Sequence, residues 1–324
     1  MTKLLVVVGA TGGQGGSVLA TLLGNTEWRL RGITRDLNGA EAKRLTAQGV
    51  EMVAADLDDY SSVQAAFAGA NAIFAVTNYP GLLSKIGVIE EARVREQGQG
   101  TNMARAASEV PELDHYIWST LPDSEAISGK EWYIPHFCGK GRVDAYIKNE
   151  LPGLFSKTTR LTLPLYGDNF QYPVVTPRPI KSTSKYVHLV PWSPQCPVTL
   201  VGSHKDNVGP VVQAILQQGP AKLGSRHVVA AVEETTAAGM LQMWSEATGE
   251  DAIHVQISME DYEKLWPVWA TEMAAMYMWW QHEGKALWAL RDEKVVTIED
   301  LGLNPRELVS TKQAMLTRDW DALC

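Results

Sequence analysis

Residues 4–8, Leu-Leu-Val-Val-Val, form an unbroken apolar run closed by Gly9, the pattern of a strand buried on both faces of a parallel sheet. Residues 12–23 follow with Val18, Leu19, Leu22 and Leu23 spaced along one helical face. The alternation then repeats. Strands are predicted at 30–34, 50–55, 72–76 and 114–119, and helices at 39–48, 61–67, 81–108 and 136–148. Gly98 and Gly100 weaken the longest of these helices locally. Strand and helix in succession, joined mostly by short loops, predict an α/β fold, a doubly wound parallel sheet with right-handed crossovers.

Beyond residue 151 the pattern loosens. Residues 160–165 and 198–201 are predicted to extend the sheet, with 206–217 returning to it as a helix. Between them, residues 172–197 hold six of the 16 prolines, so that stretch is expected to be irregular or an edge rather than a central strand. Residues 235–324 are predicted to be mainly helical, with Pro267 and Gly284 as punctuation. No internal repeat or low-complexity tract interrupts the chain.

The turn after the first strand reads Gly9-Ala10-Thr11-Gly12-Gly13-Gln14-Gly15, a GxxGxxG spacing. Glycines there permit a sharp bend and let backbone N–H groups approach a pyrophosphate at a helix N-terminus. The placement between a buried strand and a helix is the context this dinucleotide-binding motif requires. The chain therefore divides into a dinucleotide-binding domain over 1–156 and a mixed C-terminal part over 157–324, made of the last sheet strands and a mostly helical substrate lobe. Arg35 ends the second strand, where a carboxylate would favour NAD and an arginine the extra phosphate of NADP, although Asp36 beside it could partly neutralise it. Asp56 and Leu57 follow the third strand, where they would face an adenine edge or cap the next helix.

Composition narrows the class. Of 324 residues 45 % are hydrophobic, ample for a packed core, and the length suits about two structural units. A net charge of −8 disfavours direct binding to nucleic acid. Cys138, Cys196 and Cys324 are odd in number and widely spaced, which reads as a reducing compartment. No signal-like leader, membrane-length apolar run or Asn-x-Ser/Thr sequon is present, so a cytoplasmic protein is expected, with nuclear entry left open. His115, His188, His204, His227, His254 and His282 lack metal-ligand spacing, and Gly-x-Ser-x-Gly is absent, so neither a metal site nor hydrolase chemistry is expected.

Several spaced motifs together carry a family resemblance. The glycine turn, Thr34-Arg35, Asp56-Leu57, Val76-Thr77-Asn78-Tyr79, Trp118-Ser119-Thr120-Leu121-Pro122 and Ile134-Pro135-His136-Phe137-Cys138-Gly139-Lys140 resemble the NmrA-like proteins, an atypical branch of the extended short-chain dehydrogenases. Asn169-Phe170 and Asp206-Asn207-Val208-Gly209 continue the match almost to the end of the chain. The resemblance implies a Rossmann domain with a smaller C-terminal lobe and a bound NADP(H), held by Gly9, Thr11, Gly12, Gly13, Gln14, Gly15, Arg35, Asp56, Leu57, Thr77, Asn78 and Lys140. It leaves the activity open, because the family includes nitrogen-repression regulators, NADPH sensors and fungal oxidoreductases, the last implying secondary metabolism.

Short-chain reductases place Tyr and Lys four residues apart on one helix, with Ser on the preceding strand. Here Ser119 and Lys140 are present, but His136 stands at the tyrosine position. Residues i and i+4 share a helix face, so both side chains can face a nicotinamide. A close ammonium disfavours a second positive charge, so His136 is expected to be neutral and a poor proton donor. Either Lys140 would then act as acid or base itself, its charge weakened by burial and cationic neighbours, or the substrate or a water would carry the proton; alternatively Lys140 would only hold the ribose, with His136 a satisfied, partly buried side chain. Ser119 would bind a substrate oxygen or cap a turn.

Six of the 11 tryptophans lie at 244, 266, 269, 279, 280 and 288, and Trp266, Trp269, Met273, Met276 and Trp280 form one helical stripe. Most of that stripe reads as core. The rest, with Tyr79, Thr120, Tyr133, Tyr166, Asn169, Phe170, Trp269 and Met273, is expected to wall a pocket for a bulky flat ligand, with Trp132 also at its entrance. The leading expectation is an NADPH-dependent reductase of a hydrophobic, aromatic metabolite, acting on a carbonyl or alkene. The alternatives are a silent NADP(H) sensor acting through a protein partner, and a non-redox isomerase or cyclase in the same pocket.

Overall fold

The computed structural model describes residues 2–284, 288 and 295–320. Cys324, one of the three cysteines, lies outside them, and Cys138 and Cys196 are free and buried. The first half builds β1 (Lys3–Val7), α1 (Gly13–Leu22), β2 (Trp28–Thr34), α2 (Ala40–Ala47), β3 (Glu51–Ala54), α3 (Tyr60–Phe67), β4 (Ala72–Ala75), α4 (Tyr79–Ile86), α5 (Ile89–Ser108) and β5 (His115–Thr120). Next come α6 (Ser124–Ser128), α7 (Pro135–Glu150), α8 (Pro152–Phe155) and β6 (Thr158–Thr162). The remainder adds β7 (Arg178–Ile180), β8 (Lys185–Val190), β9 (Pro197–Leu200), α9 (His204–Gln218), α10 (Pro220–Leu223), β10 (His227–Val229), β11 (Glu233–Thr236) and α11 (Ala237–Thr248). It closes with β12 (Asp251–Gln256), α12 (Met259–Leu265), α13 (Trp269–Glu283), β13 (Val295–Val296) and α14 (Thr311–Leu316).

Eight strands form one sheet in the order β13-β10-β6-β5-β4-β1-β2-β3, every neighbouring pair parallel. The order reverses beside β1, the switch point where doubly wound sheets place ligands. The unbroken apolar run of the first strand is explained by its two faces. Leu5 and Val7 join a core with α1 and α9, whereas Leu4, Val6 and Val8 join another with α3, α5 and α7.

The two halves are locked by the α1–α9 crossing. Gly209 donates its amide to Ser17 Oγ at 2.9 Å, and a Cβ at 209 would overlap the Ser17 carbonyl and the Thr21 hydroxyl. Gly100 has the same function between α5 and α7, where a Cβ would press on Val143 and Trp118. The predicted 81–108 helix is in fact two, and the break falls at Gly87 with φ +75°, not at Gly98 or Gly100.

The second half corrects three expectations. Residues 198–201 do not extend the main sheet: β9 pairs antiparallel with β11, and β10 takes the place beside β6. Within the proline-rich stretch, β8 lies between its prolines and is the central strand of a separate three-stranded sheet, β12-β8-β7. Its partner β12 falls in the stretch expected to be mainly helical. These strands and α11–α13 enclose an aromatic core containing Trp192, Trp244, Trp279 and Trp280, with Tyr277 stacked on Trp192 at 3.9 Å between ring centroids. Among the described residues, no helix is long and apolar enough to cross a membrane.

His188 lies within this core beside Phe170, Trp192 and His254, and burial pushes it down to about 3. Burial likewise lowers His115 to about 4 and His227 to about 3. A histidine lowered in the folded state takes up its proton on unfolding, so its contribution to stability is intact above about 6.5 and is lost as pH falls towards the folded value. His188→Phe is expected to flatten the fall in urea midpoint between pH 6.5 and 4, because it removes one such proton without removing the ring packing. Gly209→Ala is expected to cost about 1–3 kcal/mol in urea unfolding at neutral pH, the typical penalty of forcing atoms into a filled contact.

Candidate active site

The glycine turn is open where a ligand needs it to be. Gly9 adopts φ +66°, and its amide-side neighbour across the sheet is Val76, 3.0 Å from where a Cβ would stand. A Cβ on Gly15 would overlap the Gly9 carbonyl, and one on Gly12 would sit 3.3 Å from it, so the cradle depends on bare backbone. Thr11 and Gly12 are exposed, and α1 begins without a side-chain cap or an acidic residue in its first turn. Its first N–H groups therefore point at an uncapped, partly positive end suited to a pyrophosphate.

Two side-chain systems converge on this edge of the sheet. In the first, Ser119 Oγ at the end of β5 donates to Gln14 Oε1 at 2.8 Å, and Gln14 Nε2 donates to the Tyr166 hydroxyl at 2.6 Å. Tyr166 stacks on His204 at 4.2 Å, and burial pushes its phenol up. His204, the first residue of α9, places its ring where a Cβ of Gly13 would be and lies 3.4 Å from Asp168. Burial alone would raise the Asp168 carboxyl, but His204 and Arg318 hold it well below the usual carboxylate range.

In the second, Lys140 and His136 share one face of α7, as their spacing predicted, and each meets a buried carboxylate. Lys140 Nζ lies 2.5 Å from Thr77 Oγ1 and 2.9 Å from Glu96 Oε1, while Thr77 donates to the same Glu96 oxygen at 2.7 Å. Thr77 follows Val76 directly, so Lys140 stands beside the glycine turn. Its neighbours are thus an anion and a hydroxyl, not the cations expected.

His136 Nδ1 lies 2.5 Å from Glu272 Oε1, which also accepts the His136 backbone N–H at 2.9 Å. Tyr79, stacked on His136 at 5.6 Å, donates to Glu272 Oε2 at 2.5 Å. Burial, then the Glu272 charge, pushes the Tyr79 phenol far up, so it stays a donor. The expectation of a neutral His136 weighed only the nearby ammonium of Lys140. The structure pairs that lysine with Glu96 and sets a second carboxylate against the imidazole.

The other predicted residues are distributed as follows. Arg35 is exposed at the end of β2, and the Asp36 carboxylate turns away to accept the Asn38 amide at 2.8 Å. Asp56 is exposed and closes a turn onto Asp58, so it does not cap α3; Asp59 does. Leu57 packs against the core, and Asn78 caps α4. Thr120 is buried, its hydroxyl directed at the Leu121 carbonyl. Phe170 and Met273 are buried in the aromatic core, as are Met276 and Trp280, whereas Trp269 is half-buried and stacks near Tyr172. Tyr133 is exposed, and its hydroxyl donates to Glu90 on α5 at 2.5 Å, so it stands on the rim. Trp132 is half-buried beside His282, and Asn169 opens a short 3-10 turn. Glu96, Glu272, Asp168 and the role of His204 were not found from sequence. No local motif surrounds Glu96 or Glu272, whereas Asp168 and His204 lie just before the Asn169-Phe170 and Asp206-Gly209 motifs, which could have marked them. Among the described residues, no group of three or more His, Cys, Asp and Glu gathers as a metal site would need.

An NmrA-like family domain-containing oxidoreductase of Aspergillus campestris is 36 % identical over 145 residues, which cover 44 % of this chain and 41 % of that protein. An NmrA-like family domain-containing protein of Dictyostelium discoideum is 23 % identical over 281 residues, covering 86 % and 88 %. The matched region spans 41–50 % of the length of three fungal relatives described as oxidoreductases. Among solved structures, the negative transcriptional regulator Nmra in complex with NADP superposes with a TM-score of 0.67 at 20 % identity, over 99 % of both chains. Triphenylmethane reductase of Citrobacter sp. complexed with NADP(H) superposes with a TM-score of 0.65 at 18 % identity, over 97 % of this chain and 99 % of that one. Both show the shared fold. The sequence model of the NmrA-like family matches residues 1–299, and the chain belongs to that family.

Proposed function

We propose that the protein is an NADPH-dependent oxidoreductase that reduces a carbonyl or activated alkene in a hydrophobic, aromatic metabolite. The observation that carries this reading is the charged, paired Lys140 held through Thr77 beside an uncapped glycine turn, with Ser119 tied to the same turn through Gln14. The turn and the N-terminus of α1 would hold the pyrophosphate, and Lys140 the nicotinamide ribose. Arg35, freed from Asp36, would hold the 2′-phosphate. When bound, the dinucleotide supplies a hydride. His136 and Ser119 then lie on the elements that would meet the reacting oxygen. Half-buried Trp269, with Tyr172 and Tyr166, supplies flat aromatic surface for the substrate, whereas Met273 and Phe170 support that surface from the core. The fungal relatives described as oxidoreductases and the two NADP complexes support the reading.

A second reading, an NADP(H)-responsive regulator acting through a protein partner, is favoured by one feature, the absence of tyrosine at position 136. Turnover separates the two: NADPH oxidation by added aromatic carbonyls or quinones supports the enzyme, and binding of NADPH without any turnover, together with a cofactor-dependent partner, supports the regulator.

Arg35→Ala is expected to weaken NADPH binding about 10- to 100-fold in calorimetry while leaving NADH nearly unchanged, since hydrogen bonds to a charged partner contribute about 1.5–3 kcal/mol. Equal loss for both forms would remove Arg35 from the phosphate site. Glu96→Leu is expected to destabilise the fold by about 3–5 kcal/mol in urea unfolding, because it leaves the Lys140 charge buried and unpaired. The double variant Glu96→Leu with Lys140→Met is expected to recover most of that stability but to show no NADPH-dependent turnover.

A further inference from the structure

We infer that Glu272 is a positioning residue that orients His136 as the proton donor to the reacting oxygen, with Tyr79 as its second support. The inference rests on the reductase reading for its chemistry, but its geometry stands independently. Glu272 is 2 % exposed, lies 136 residues from His136 and enters from α13 in the other lobe. A buried carboxylate needs partners, and this one has three: the Tyr79 hydroxyl, the His136 backbone N–H and His136 Nδ1.

An ionised carboxylate can only accept, so the Tyr79 hydroxyl and the His136 backbone N–H donate to it, and Nδ1 can join them only by carrying its hydrogen. That fixes the tautomer and the ring plane. The remaining ring nitrogen, Nε2, makes no hydrogen bond to protein among the described residues, and the side chain stays 17 % exposed. The backbone contact adds a reason for the carboxylate to be here. The residue preceding α7 offers no side-chain cap, so Glu272 serves that helix from another lobe, at the end where the helix dipole favours an anion.

A second observation concerns how α13 is aimed. Its first helical residue follows Val268, a β-branched residue at φ +78° and ψ −50°, a backbone state that such residues rarely adopt. The strain falls one turn before Glu272, at a residue that is itself exposed. An arrangement maintained against strain at this place fits a geometric requirement of the site.

In the step assigned to His136 the ring starts as the imidazolium, with a hydrogen on each nitrogen: the substrate C=O π bond breaks, hydride supplied by NADPH would form the new C–H bond and leave NADP+, and the Nε2 proton forms the O–H bond. The imidazole is left neutral with Nδ1–H still on Glu272, and water returns the proton to Nε2. The other titratable groups around the pair are Tyr79, stacked on the ring; Glu96 and Tyr133, which act on Tyr79; and Lys140, one turn along α7 and paired with Glu96.

The test uses Glu272→Gln, which keeps the shape and can still accept the two N–H groups while removing the charge. In the cofactor-free protein, nitrogen-15 NMR of the histidine rings is expected to show His136 with hydrogen on Nδ1 in the wild type, and its protonation midpoint falling by at least one pH unit in the variant. With NADPH and a substrate that turns over, kcat at pH 7.5 is expected to fall about 10- to 100-fold, with KM and NADPH affinity within twofold and the loss shrinking towards lower pH. Glu272→Asp, which keeps the charge, should recover part of kcat. An unchanged ring tautomer and titration in Glu272→Gln would overturn the inference whether or not the protein proves to be a reductase. So would a kcat loss independent of pH and matched by lower thermal stability, which is what a helix cap alone predicts. Absence of turnover in wild type, with the NMR result as expected, would instead overturn the reductase reading and leave the Glu272–His136 pairing standing.

Discussion

The site depends on the closeness of α1 and α9. Gly209 has no side chain to hold the helices apart, and Ser17 takes its amide, so the first residue of α9 is brought against the first turn of α1. From that contact His204 reaches Gly13, Tyr166 stacks on His204, and Gln14 is placed between Tyr166 and Ser119. Asn207, one turn into α9, then binds the Val309 backbone through both its carbonyl and its amide, and Arg318 closes on Asp168. A wall of the glycine turn is thus made by residues from positions 166 to 318, although the turn itself is complete by residue 15.

The opposite wall is governed by charge. His136 and Lys140 occupy one face of α7, where neither would be stable as a buried cation without a counter-charge. The fold answers with one carboxylate for each, Glu96 from α5 and Glu272 from α13. The two acids come from different lobes, so the pairing also fixes the lobes to each other through α7. Gly139 lies between the two basic residues, where a Cβ would press on the Arg93 side chain at 3.3 Å.

These facts explain what could be read from the sequence and what could not. The βα alternation of the first half was legible because its periodicity is local, and so were the glycine turn and the shared face of His136 and Lys140, which need only helix and turn geometry. Reading most of the Trp266–Trp280 stripe as core agrees with the buried Met273, Met276 and Trp280. Local signals misled where a glycine has two uses: Gly98 and Gly100 read as weak points, yet Gly100 is a packing contact and the helix breaks at Gly87. β8 was hidden because its proline-free stretch is short and flanked by prolines, and its partner β12 is 66 residues away. Glu96 and Glu272 carried no local signal, because a carboxylate on a helix reads as solvated until the cation it serves is placed.

The two walls differ in the kind of polarity that they present. On the β5 side the hydrogen-bond directions run from Ser119 to Gln14 to Tyr166, which leaves the Tyr166 hydrogen unassigned and the phenol, raised by burial, neutral. That side therefore offers neutral dipoles, which stabilise developing negative charge without exchanging protons at ordinary pH. On the α7 side the groups are ionisable and held by carboxylates, so a proton could be released and regained there. A substrate oxygen lying between the two would find a fixed donor on one side and a renewable proton on the other. On the reductase reading, the missing tyrosine of the usual catalytic pair need not mean a missing function, because its hydrogen-bonding part and its proton-delivering part would have separate places in this fold.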